Sequence, residues 1–300
     1  MTPQRLGLLA GFGAYLLWGL LPLYWPLLEP AGAVEILAHR IAWSLVFVVA
    51  LLALTSGFGW LRTVGRRRAG MLALAAVLVS ANWGTYIYGV NHERVVETSL
   101  GYFINPLVTV LLAVVVLREH LRPRQWVGIG IAAVAVAVLT ADYGHPPWIA
   151  LVLAFSFGTY GLAKKQAGAE AVESLTLETL LVAPLALCYL AWLVAHNQST
   201  FGTEGTGHAL LLMSAGLVTA LPLLCFGAAA IRVPLVTLGL LQYLAPVLQF
   251  LLGVLWFQED MSTGRWVGFA LVWVALAIFT FESVRNRRRQ LRVAAEAVAV

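Results

Sequence analysis

Residues 99–140 read SLGYFINPLVTVLLAVVVLREHLRPRQWVGIGIAAVAVAVLT, and residues 239–280 read GLLQYLAPVLQFLLGVLWFQEDMSTGRWVGFALVWVALAIFT. Laid together without a gap, Pro106 falls on Pro246, Glu119 on Glu259, and Trp126-Val127-Gly128 on Trp266-Val267-Gly268. Val134-Ala135, Ala137 and Thr140 likewise fall on Val274-Ala275, Ala277 and Thr280. Each copy holds two apolar runs around a short polar hinge, with a proline inside the first run. An internal repeat of apolar hairpins with interrupted helices is the pattern of membrane transport proteins.

The rest of the chain supports a membrane assignment. It is 61% hydrophobic and only 11% charged, with a mean hydropathy of +0.86. Soluble domains carry about 25% charged residues. The net charge of +5 does not point to nucleic acid, because the arginines fall in short clusters between apolar runs. Cys188 and Cys225 lie within apolar runs and suit packing, not a disulfide or a metal site. The run that follows Arg5 reaches Leu28, too long for the core of a cleaved signal peptide.

A span requires about 20 mostly apolar residues. Ten such helices are predicted, at 6–28, 35–54, 70–91, 99–117, 124–140, 147–163, 174–194, 208–230, 236–256 and 265–283. Lys and Arg set their orientation. With the N-terminus in the cytoplasm, all 19 basic residues lie in cytoplasmic segments except Arg40, Arg94 and Arg265. Both termini are therefore expected in the cytoplasm. Five helices per half is an odd number, so the second half is expected to run inverted relative to the first. The first unit covers 6–141, the second 147–283, and a basic cytoplasmic tail, expected on anionic lipid, covers 284–300. Weaker matches extend the repeat upstream, with Trp18-Gly19 on Tyr160-Gly161 and Arg94-Val95 on Arg232-Val233.

These tandem five-helix units, each with a fourth helix ending in Glu and a fifth opening Trp-Val-Gly, resemble the EamA domains of the drug/metabolite transporter superfamily. EILAHR (35–40), NWGTYIYGVNHERVVETSLGYFINPL (82–107) and LVWVALAIFTFES (271–283) resemble its RarD subfamily. The resemblance covers nearly the whole chain up to Ser283 and implies an all-α, ten-helix carrier, multi-pass in the bacterial inner membrane. It implies no cofactor and no particular solute.

Site candidates come from helical faces. Pro106 frees the carbonyl of Tyr102, and Pro246 that of Gln242. Such a group must meet protein or a wet cavity. The faces Ser99, Tyr102, Pro106, Thr109, Ala113 and Gly239, Gln242, Pro246, Gln249, Gly253 therefore point inward, as cavity lining or as close packing through small residues. On the third helix Asn82, Tyr86, Gly89 and Glu93 share a face flanked by Trp83 and Tyr88. The expected cavity set is Trp18, Asn82, Trp83, Tyr86, Tyr102, Asn105, Pro106, Tyr160, Gln242, Tyr243, Pro246 and Gln249. Glu35, His39, Arg40, His92 and Glu93 are candidates for coupling or gating at the outer mouth, with snorkelling of Arg40 to water as the alternative. Glu119 and Glu259 are expected on opposite membrane faces, in structural roles.

The function these features favour is secondary transport of a small metabolite or drug-like solute by alternating access, with proton coupling, exchange and plain downhill flux all left open. No phosphate-binding loop of the Gly-rich, Lys-Ser/Thr type occurs in the sequence. The alternative is an integral-membrane enzyme or flippase acting on lipid-linked substrates, with His92, Glu93, Glu97 and Glu35 as its polar cluster. Expected partners are a small-molecule solute and membrane lipid, with homodimerisation left open and no nucleic acid.

Overall fold

A computed structural model of the chain describes residues 2–54, 57, 59, 64–118, 121, 123–167 and 171–298. Eleven α-helices follow in order: α1 (Pro3–Leu20), α2 (Ala33–Leu54), α3 (Arg66–Asn91), α4 (Val95–Leu117), α5 (Pro123–Tyr143), α6 (Trp148–Ala167), α7 (Ala171–Ala195), α8 (Gly205–Ala230), α9 (Leu235–Leu241), α10 (Leu244–Leu251) and α11 (Thr263–Val298). Among the described residues there is no strand. Among the described residues nine stretches are long and apolar enough to cross a membrane, and Trp148–Lys164 is a shorter apolar helix. Large apolar side chains such as Leu54, Leu185 and Leu255 face outward. That is the surface a lipid solvent demands, with backbone polar groups satisfied inside the helices.

The first predicted helix, 6–28, is interrupted. α1 starts at the Thr2 cap with Pro3 in the first turn, where a missing N–H costs nothing. It stops at Leu20, and short 3₁₀ turns at Leu21–Leu23 and Trp25–Leu28 follow. Pro22 and Pro26 cannot donate the bonds that would continue the α-helix. The predicted ninth helix, 236–256, is also broken, into α9, α10 and a π turn at Leu252–Trp256. Pro246 withholds a bond from Gln242, and Tyr243 N–H turns instead to the Leu240 carbonyl at 3.3 Å. Yet α4 runs unbroken through its matching Pro106. Two other boundaries differ from expectation. The 91–98 loop shrinks to the residues between Asn91 and Val95, and the basic tail prolongs α11 to Val298.

The packing exchanges the two halves. α3 packs on α6 as α8 packs on α1, and α4 on α6 as α9 and α10 on α1. The α2–α8 contact has α7–α3 as its counterpart, while α2–α7 and α5–α11 map onto themselves. Small residues allow the close crossings. A Cβ at Gly101 of α4 would stand 2.8 Å from the Ala150 carbonyl oxygen of α6.

Candidate functional site

The helices α1–α4, α6–α8 and α10, with Gln242 from the turn after α9, line a cavity of about 470 Å³ between the two halves. Its wall is aromatic on most sides. α1 supplies Tyr15 and Trp18, α2 Phe47, α3 Trp83 and Tyr86, α4 Tyr102, α6 Phe157 and Tyr160, and α8 Phe226. Polar groups are few: Arg40, Asn82, Asn105, Lys164, Thr219, Gln242 and Gln249. Pro106 and Pro246 both reach the wall, so the two proline faces meet at one space.

Eleven of the twelve residues expected around a cavity line this one, and Tyr243 does not. Its ring packs against the core formed by α4, α5 and α11. The two residues sit in the turn between α9 and α10, where Gln242 faces the cavity and Tyr243 faces the core.

Asn82 is 1% exposed and saturated by the protein. Its amide donates to the Leu153 carbonyl and to Ser156 Oγ, both at 3.0 Å. Its oxygen accepts from the Tyr102 hydroxyl at 3.1 Å. Asn105 donates to the Ala154 carbonyl at 3.0 Å. Both asparagines thus tie their helices to α6, and Asn82 also aims Tyr102. Gln249 Nε2 donates to the Trp18 carbonyl at 3.2 Å. Its Oε1 approaches Tyr86 Oη, yet both atoms stay buried without a well-formed hydrogen bond. Gln242 lines the cavity and makes no side-chain hydrogen bond.

The outer-mouth candidates separate. Glu35 holds the loop after α7, accepting from Thr200 N–H at 2.8 Å and Ser199 Oγ at 3.3 Å. His39 stacks on Phe201 with ring centroids 4.9 Å apart and lines a different, apolar groove. His92 stacks on Tyr88 outside the cavity, and Glu93 occupies the turn between α3 and α4 with φ of 56°. Arg40 alone enters the cavity. It does not snorkel: it is 3% exposed, and its guanidinium lies 3.8 Å from the centroid of Trp83. Glu93 also cannot extend the Asn82 face, because α3 ends at Asn91 and Gly89 packs against Thr98 and Ile149.

Glu259 is a cap. Its carboxylate accepts from the N–H groups of Val95 and of Val96, the latter at 3.0 Å, at the start of α4. A carboxylate there also meets the positive end of the helix dipole. Glu97 caps α6 in the same way through Ile149 N–H at 3.0 Å. Glu119 lies outside the described residues. Burial raises the Glu259 carboxyl to about 7, assisted by Glu93 and opposed by the two N–H bonds and Arg265. An acid with a raised folded pKa holds its proton more tightly in the folded state. Its stabilisation is complete below the ordinary value of 4.5 and is lost as pH rises to about 7. The melting temperature of the parent, minus that of Glu259→Gln, is therefore expected to fall by several degrees across that window. A difference that rises with pH contradicts the assignment.

A polar chain closes one end of the cavity, and the sequence reading missed it. Lys164 Nζ donates to Tyr160 Oη at 2.8 Å, and that hydroxyl donates to Glu178 Oε2 at 3.1 Å. Ser174 donates to the other carboxylate oxygen, which lies 3.4 Å from Lys164 Nζ. The Glu178 side chain is 1% exposed. Lys164 follows Tyr160 by one helical turn, the spacing that would have signalled a shared face.

An all-helical, lipid-facing chain enclosing a central cavity between two similar halves defines the class: a multi-pass membrane transporter. The chain belongs to the EamA-like transporter family, which matches residues 5–141 and 147–281. It is 60% identical over 299 residues to Protein RarD of Streptomyces exfoliatus, covering 99% of this chain and 94% of that one. Protein RarD of Escherichia coli is 42% identical over 95% of this chain and 97% of its own length. An uncharacterized transporter of Bacillus subtilis, YojE, is 45% identical over 92% of this chain and 93% of its own. A solved structure titled only "Crystal structure of protein" superposes with a TM-score of 0.60 at 21% identity. It covers 93% of this chain and 98% of the solved one, a likeness of fold.

Proposed function

We propose that the chain is a secondary carrier that moves a small, largely apolar solute across the bacterial inner membrane by alternating access. The central cavity carries this reading: its wall is drawn from both halves at once. In an inverted repeat, exchanging the conformations of two similar halves produces inward-open and outward-open states of similar energy. The helix contacts that interchange under exchange of halves support the inverted arrangement. The distribution of arginine supports cytoplasmic termini. Energy comes from a solute or proton gradient in this scheme, since the sequence has no nucleotide-binding loop.

The purified protein in liposomes is expected to move solute without ATP. Gln242→Ala and Asn82→Ala separate binding from packing. Gln242 makes no side-chain bond, so its loss is expected to lower flux roughly tenfold with little change in melting temperature. Asn82 holds three bonds, so its loss is expected to lower both. Flux that strictly requires ATP, or turnover of a lipid-linked substrate without flux, would overturn the proposal.

A further inference from the structure

Among the described residues that line the cavity, Arg40 is the cation that the protein itself leaves without a counter-ion. It is 3% exposed, and neither Nε nor Nη1 has a hydrogen-bond partner. The guanidinium lies between the rings of Trp83, at 3.8 Å, and Trp25, at 5.1 Å. The ionisable groups that face it are Tyr24, Tyr86 and Tyr102, with no carboxylate among them. Two of those hydroxyls are engaged elsewhere, Tyr24 with Ser214 and the Leu211 carbonyl, Tyr102 with Asn82.

Aromatic faces attract a cation without neutralising it. A buried charge without a counter-ion is costly, and a folded protein ordinarily pairs it. Here the missing partner has to come from outside the chain. A guanidinium fork is shaped for two parallel hydrogen bonds to a planar pair of oxygens. Tyr86 Oη, also without a well-formed bond, is a further donor at the same cavity. The other cavity cation, Lys164, already faces Glu178, so the site holds one uncompensated positive charge. The remaining wall is largely aromatic and apolar.

We propose that the cavity selects a small organic monoanion, its carboxylate held by Arg40 and its ring-bearing apolar body laid against Trp83, Tyr102 and Phe157. This rests on the transport reading of the cavity and deepens it by naming a solute class. Arg40 is then the residue that sets charge selectivity, not a gate at the outer mouth. Trp83 and Trp25 keep the guanidinium in place while the cavity is empty, and because Nε and Nη1 are buried there, the anion completes their hydrogen bonds as the side chain turns toward the cavity.

The test uses matched sets of equal shape and different charge: phenylacetate, phenylacetamide and phenethylamine, then indole-3-acetate, its amide and tryptamine. Binding to the purified full chain is read by ligand-induced thermal shift and by tryptophan fluorescence, and flux is read in liposomes. Carboxylates are expected to bind roughly tenfold or more tightly than their amides, and the amines not at all. Arg40→Gln is expected to erase the preference while leaving the ligand-free melting temperature at or above the parent value. Arg40→Lys keeps the charge but loses the fork, and is expected to retain part of it. A panel without any carboxylate binder, equal binding of amide and carboxylate, or a preference that survives in Arg40→Gln overturns the assignment. In each of those cases, flux of amides or amines without ATP still upholds transport, whereas loss of all flux counts against both readings.

Discussion

Gly216→Val is expected to prevent α8 from docking on α2 and to give a protein that leaves the membrane in detergent as aggregate. A Cβ at Gly216 would lie 2.4 Å from the Trp43 carbonyl carbon, 2.6 Å from its oxygen and 2.7 Å from Ser44 N. Those atoms belong to the backbone of α2, so no rotamer change can relieve them. Ordinary overpacking costs about 1–3 kcal/mol, with adaptable side chains absorbing part of the strain. Here the helices must move apart, which places the expected cost at about 3 kcal/mol or more. The α2–α8 crossing joins the two halves beside the cavity, so the loss reaches function as well. Gly130→Ala is the control. Nothing lies within 4 Å of a Cβ there, and the change is expected to be neutral or to stabilise by up to about 1 kcal/mol through helix propensity. The measurement is the melting midpoint by size-exclusion chromatography in detergent. Near-parental behaviour of Gly216→Val would show that this crossing is looser than the structure has it.

Glu178→Ala is expected to have the second largest effect. It removes the acceptor for Ser174, Tyr160 and Lys164 together, and leaves the ammonium at the cavity end with only Tyr160 as partner. Removing one partner of a buried pair costs about 3–5 kcal/mol. The Lys164 side chain is 25% exposed, so the lower end of that range applies. Pairing the change with Lys164→Met removes the orphaned charge. The double variant is expected to regain most of the melting temperature of the parent. Its flux is expected to stay low, because Lys164 and Tyr160 line the cavity. Strictly additive losses in the two single variants and the double one would mean that the residues are not coupled.

Much of the cavity was legible because helical periodicity is a local property. Asn82 and Tyr86 on α3, and Tyr102 and Pro106 on α4, fall on inward faces by spacing, and all four line the cavity, as do Trp83 and Asn105 beside them. The expectation for Tyr243 fails because the turn between α9 and α10 directs its ring into the core. What spacing cannot supply is the partner on another element. Glu259 caps a helix that begins 164 residues earlier, and nothing near Glu259 in the chain announces Val95. The sequence leaves an intramembrane Asn82 suited to a ligand or to a neighbouring helix, and only Leu153, Ser156 and Tyr102 decide that its amide is satisfied.

Composition and the repeat by themselves determined the membrane class and the helical architecture, since apolar length and periodicity are written along the chain; the family came from the resemblance carried by stretches such as 35–40 and 82–107. Tertiary structure decided the rest. The matched prolines behave differently, Pro106 within a continuous α4 and Pro246 beside the break between α9 and α10, because their neighbours differ. By its position in α2, Arg40 suits either a coupling or gating role at the outer mouth or snorkelling to water. It becomes the unpartnered charge of the cavity because Trp25 and Trp83 close over it from two other parts of the fold. Whether a charge meets water, an acid or a ring depends on which helices pack around it, and that is a property of the assembled bundle.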